Sequence, residues 1–175
     1  LVKKFYAIAF GTGDYVPMSY RATAICLGFV CLVARAQEDS RVAYPADYRN
    51  WAVVQTKLVG PGSKLFSVRG GFHHIYANEK ALEGYRSGVF PEGSVIVDEG
   101  VYAVEKDGIL SEGQLRSVEV IHKDQHRYGA TGGWGYDRFE GDQRTSQTSL
   151  EVRIACYKCH ERNKDKDYVY TTFRK

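Results

Sequence analysis

Near its C-terminal end the chain reads Cys156-Tyr157-Lys158-Cys159-His160. Two thiols three positions apart, with a histidine directly behind the second, each have a defined chemical role: the thiols add across the two vinyl groups of one porphyrin, and the imidazole is held beneath the iron as an axial ligand. For a chain of this composition the run Cys-x-x-Cys-His arises by chance roughly 0.003 times. The competing chemistries are a redox disulfide between Cys156 and Cys159, or half of a zinc site, which needs further Cys or His at ligand spacing. The motif predicts one covalent haem c, with Cys156 and Cys159 binding the cofactor and His160 ligating iron.

The rest of the sulfur and imidazole inventory narrows the chemistry. The other two cysteines, Cys26 and Cys31, lie in an N-terminal apolar segment, and the one methionine is Met18. Downstream of that segment there is no thioether to serve as a second ligand, which excludes a His/Met electron-transfer cytochrome. The iron is then either five-coordinate with an open face, or takes a second imidazole from His73, His74, His122 or His126.

The N-terminal segment has the marks of an export signal: Arg21, an apolar run from Ala22 to Val33, then Ala34-Arg35-Ala36 before polar Gln37. Twelve apolar residues are too few for a bilayer, whose core needs about 20 in a helix, so no stable membrane insertion is expected. Residues 1–36 therefore read as an upstream extension plus a signal peptide cleaved after Ala36. Residues 37–175 form a single domain delivered to the periplasm. In that domain twenty Lys and Arg balance twenty Asp and Glu, so the formal +3 of the whole chain gives no reason to expect nucleic acid as a partner.

A mainly β body, α+β in class with short flanking helices, must position the motif. Trp51 to Val59 reads as a strand, or a helix entering one, closed by Gly60-Pro61-Gly62, and Phe72 to Tyr76 is a second strand. Asn78 caps a short helix through Arg86, with Gly88 as its stop. Ser94 to Val104 and Gln114 to Lys123 form an antiparallel pair joined through Lys106-Asp107-Gly108 and a short polar segment. Trp134 to Phe139 is a further strand, the haem motif falls in a short helix, and Tyr168 to Phe173 is a last strand-like run. Long amphipathic helices of a cytochrome bundle are absent.

These residues resemble the cytochrome P-460 family, which includes the cytochromes called c-prime-beta. The resemblance rests on Tyr44-Pro45-Ala46-Asp47-Tyr48-Arg49-Asn50-Trp51, on Tyr85 with Phe90-Pro91-Glu92-Gly93-Ser94-Val95-Ile96-Val97, and on Cys156-x-x-Cys159-His160 followed by Asp167-Tyr168-Val169-Tyr170. It implies an antiparallel β fold, a homodimer, and a five-coordinate haem whose open face binds small nitrogen species. In members that oxidise hydroxylamine, a lysine shortly after the Phe-Pro-x-Gly turn is bonded to the haem ring. Here that position is Asp98, and a carboxylate cannot form an amine link; only a shifted alignment would bring in Lys106.

Asp98 is thus the candidate distal acid or base, with Glu99 and Glu140 as weaker alternatives. The leading expectation is a periplasmic haem protein that binds or converts nitric oxide or hydroxylamine and exchanges electrons with a partner protein. The alternatives are a bis-histidine electron carrier and a peroxidase-like protein using Asp98.

Overall fold

Alternation along the strands sets the architecture. In β-structure successive side chains point to opposite faces, and here both faces carry large apolar residues, so both must be covered. The computed structural model describes residues 41–173 of the chain. The expected export segment, residues 1–36, lies outside the described residues.

Five strands run β1 (Ala52–Val59), β2 (Gly71–Ala77), β3 (Val95–Lys106), β4 (Ile109–Lys123) and β5 (Trp134–Glu140). They lie side by side in that order, each antiparallel to its neighbour. The helices are short: α1 (Phe66–Arg69), α2 (Glu79–Ser87), α3 (Gln125–Tyr128) and α4 (Leu150–His160). This is the mainly antiparallel sheet with flanking helices that the sequence implies. None of the described helices is long and apolar enough to cross a membrane.

Local chemistry explains the boundaries. The Asn78 side chain accepts from Ala81 N at the start of α2, and Gly88 ends the helix in the left-handed region at φ 84°. Between β3 and β4 the expected polar spacer is itself strand. Asp107 (φ 54°) and Gly108 (φ 78°) supply both positive dihedrals of a two-residue turn, so pairing resumes at once with Lys106 opposite Ile109. The run Tyr168 to Phe173, expected as a last strand, pairs with no strand of the sheet. Its side chains Tyr168, Val169 and Phe173 pack on the core instead.

One core joins Val54, Ile75, Ala77, Ile96, Trp134 and Tyr136 to Ala81 and Leu82 of α2 and to Cys156 and Tyr157 of α4. The other joins Val97, Val118, Val120 and Phe139 to Val42, Tyr48 and Tyr128. The sheet therefore carries the C-terminal helix on one face and the segment preceding β1 on the other.

Candidate functional site

The Cys-x-x-Cys-His residues fall on α4. Ser149 caps the helix by accepting from Val152 N, and buried Arg153 donates to Asp137 of β5 (Nε to Oδ2, 3.3 Å), tying the helix to the sheet edge. Within a helix, Cys156, Cys159 and His160 stand at i, i+3 and i+4, so the two thiols and the imidazole share one side. Val152, one turn before Cys156 on that side, is 47 % exposed although apolar. The thiols are both free; Cys156 is half-buried and Cys159 exposed. Burial pushes the Cys156 thiol up, Glu119 adds to this, and Arg69 opposes it.

His160 is oriented by the backbone that follows it. Its Nδ1 lies 2.7 Å from the carbonyl oxygen of Tyr168. A carbonyl can only accept, so Nδ1 carries the hydrogen and Nε2 keeps its lone pair for a ligand. Asp167 (φ 49°) and Tyr168 (φ 65°) both adopt the left-handed region to turn that carbonyl back.

The Asp167 carboxylate clamps the turn, accepting from Phe90 N (3.0 Å), Lys123 Nζ (2.6 Å) and Trp134 Nε1 (3.2 Å). The Tyr168 ring lies over Gly132, where a Cβ would come within 2.3 Å of it. Rings of Tyr136 and Tyr170 stand 5.0 and 5.1 Å from the imidazole. Burial holds His160 below the ordinary histidine value, opposed by its bond to Tyr168. Tyr136 is 3 % exposed, and its hydroxyl has no hydrogen-bond partner.

On the same face of the sheet the register aligns three cross-strand rows. Ala77, Ile96, Ile121 and Tyr136 form an apolar row under α4. The next row is Ile75, Asp98, Glu119 and Arg138, and the third contains His73, Gly100, Ser117 and Glu140.

Charges meet across the second row. Arg69, the last residue of α1, reaches both carboxylates, pairing with Glu119 and with Asp98. Arg138 Nη1 lies 3.2 Å from Glu119 Oε1, and Lys57 of β1 brings its ammonium to 3.9 Å from Asp98 Oδ2. His73, 1 % exposed, donates Nε2–H to Arg69 O at 2.7 Å and shares one proton with Asp98 through a 2.6 Å contact from Nδ1 to Oδ1. Burial alone would raise the Asp98 carboxyl; the bond to His73 and the charge of Arg69 outweigh it and hold the group below its ordinary value.

The four histidines weighed as a second iron ligand are placed elsewhere or engaged. His73 is on this face with both nitrogens committed to Asp98 and Arg69. His74 bonds Glu112 (2.8 Å) and Thr56 (3.3 Å) on the other face, His122 alternates with Ile121 and lies beside Tyr128, and His126 is exposed on α3. Of the weaker distal candidates, Glu99 points to the opposite face and accepts from Tyr48 (2.8 Å), Tyr76 (3.1 Å) and Arg49. Glu140 is exposed at the end of β5, 2.6 Å from Arg138 Nε. Lys106 sits at the exposed hairpin tip, about 26 Å of strand from Asp98, so it cannot take that residue's place.

Sequence reasoning did not find Arg69, Glu119, Arg138, or the pairing of His73 with Asp98. The one available signal was alternation: Glu119 and Arg138 keep step with Ile121 and Tyr136, so charges enter a face that is otherwise apolar.

The donor set fits a haem. Two unpaired thiols and a free imidazole nitrogen lie on one helix side, and an uncovered valine and an orphaned buried phenol adjoin them. A search of curated proteins returns no match. The family model of cytochrome P460 matches residues 45–171, nearly all of the described chain. The chain belongs to the cytochrome P460 family, a family of c-type haem proteins.

Proposed function

We propose that this chain is an exported haem protein that binds or converts small nitrogen species, nitric oxide or hydroxylamine, with the cofactor joined to Cys156 and Cys159 and His160 ligating its iron. One observation carries this reading. His160 donates Nδ1–H to Tyr168 O and keeps Nε2 free, while no other histidine offers a free nitrogen to that face among the described residues. The site is therefore built for one imidazole ligand and an open position.

When bound, the haem supplies an iron that takes a small ligand and exchanges electrons. The protein's own groups then act on that ligand's protons. Asp98 is anionic at neutral pH and is backed by the proton it shares with His73, so the pair can accept a proton from an N–H or O–H group or return one. Arg69 fixes Asp98 and Glu119 together and offsets their charge. The mixed apolar and ionic rows give a ligand an apolar approach beside a proton-handling group. The same reading places the protein in the periplasm as a homodimer that passes electrons to a partner protein.

Titration of the reduced protein with nitric oxide and carbon monoxide tests this. Saturable binding of both, with no slow step from loss of an internal ligand, is the expected result. Failure to bind either gas, or binding limited by release of a protein ligand, would reject the open position.

A further inference from the structure

Beside the site rows lies a cavity of about 790 Å³. Its walls are largely apolar, with Phe66 and Tyr102 among them, and its charged lining is Arg116, Glu105 and the paired Arg138 and Glu140. Arg138 stands two residues along β5 from Tyr136, about 6.6 Å by strand rise, and Tyr136 is the residue against the His160 ring. The cavity thus opens at the end of the face away from His160.

Arg116 is the unusual group here. Its guanidinium crosses the strand over Gly100, where a Cβ would come within 2.9 Å of Nη2. It donates to Gly70 O (3.0 Å) and contacts His73 Nε2 (3.3 Å), but it pairs with no carboxylate among the described residues, and its buried Nε has no partner. Arg69 and Arg138, by contrast, share Glu119, and Arg138 also pairs with Glu140 (2.6 Å), so both have their counter-charges. Burial first, and Arg138 second, disfavour the charge on Arg116. A half-buried guanidinium with no carboxylate bonded to it, in the wall of a largely apolar cavity, calls for a carboxylate on an apolar body.

We propose that Arg116 binds a propionate carboxylate of the haem, whose edge enters this cavity. The assignment rests on the haem reading above. It follows from the chemistry of the ring: vinyl groups and propionates occupy opposite edges of the porphyrin, so attachment at Cys156 and Cys159, next to His160, directs the carboxylates away from the His160 end of the sheet face. Arg supplies the planar fork that matches a carboxylate.

The test uses purified holoprotein and the Arg116→Gln and Arg116→Lys variants, followed by redox titration across pH and by calorimetry with octanoate as a free carboxylate on an apolar chain. Removing the cation in Arg116→Gln favours oxidised iron by about tenfold at a fixed potential, ~59 mV for a one-electron couple. It also introduces a propionate ionisation into the pH dependence of the potential. Arg116→Lys keeps the wild-type potential, and octanoate does not bind wild-type holoprotein. Unchanged potential and pH dependence in Arg116→Gln would overturn the assignment, as would octanoate binding to wild-type holoprotein that Arg116→Gln abolishes. If the wild-type protein retains no haem on a denaturing gel, the haem reading fails and the assignment with it; retained haem with an insensitive Arg116→Gln rejects the assignment alone.

Discussion

Asp98 and Glu99 are sequence neighbours on β3, and alternation sends them to opposite faces of one sheet. Both are carboxylates held below their ordinary values, yet their surroundings differ in kind. Glu99 is 5 % exposed and takes two phenol hydrogens and a guanidinium beneath the segment preceding β1. Those donors come from groups with little else to do, so the arrangement fastens Tyr48 and Tyr76 to the sheet. Asp98 instead meets an arginine already shared with Glu119 and a histidine with which it divides one proton. One face closes a core around a saturated carboxylate; the other keeps a carboxylate whose proton can move, on the side where His160 stands. Charge burial alone does not mark function here; the distinction lies in whether the donors can release a proton.

Substitutions can break this contrast. The largest effect is expected for Asp98→Asn. For the hydroxylamine turnover proposed above, steady-state kinetics should show a fall of about 100-fold while gas binding to the reduced protein stays unchanged. An equal loss in both would make Asp98 a packing residue like Glu99. For Glu99→Ala the reverse holds: urea denaturation should show a loss of about 2 kcal/mol, because Tyr48 and Tyr76 lose their acceptor, with ligand binding retained.

A smaller effect comes from pH. Burial pushes both carboxyls up, but their hydrogen bonds and cationic neighbours prevail, so each folded value lies below the ordinary 4.5 for Glu99 and 3.8 for Asp98. A depressed folded value means the unfolded chain takes up protons first. The stability these groups contribute is therefore complete above those ordinary values and declines as pH falls below them toward the folded values. Melting temperature should fall on acidification through this window, and Glu99→Gln should flatten the part that begins at 4.5. A melting temperature independent of pH there would show that neither carboxylate is held as described.

Much of the fold was legible because its signals are local. Asn78 and Gly88 bound α2, Asp107-Gly108 makes the hairpin, and Cys156, Cys159 and His160 needed only spacing. The full length of β4 is hidden in the sequence because Ser111, Glu112 and Gly113 look like loop residues, yet Ser111 and Glu112 pair with Val104 and Ala103 in an exposed hairpin arm where polar side chains cost little. The site was less legible. The β2–β3 register puts His73 opposite Gly100 and so diagonal to Asp98, and register is not written in either strand alone. Arg69 acts from a four-residue helix with no periodic pattern. The partner of His160 is a backbone carbonyl, turned by two non-glycine residues at positive φ, and no side-chain identity announces it.

The central claim is one imidazole ligand and an open face, and the absorption spectrum of the purified protein, oxidised and reduced, tests it most directly. The account predicts a high-spin, five-coordinate c-type spectrum from haem that stays on the polypeptide after denaturation. A low-spin, six-coordinate spectrum would contradict it, because a second protein ligand would then occupy the face on which Asp98 and Glu119 stand.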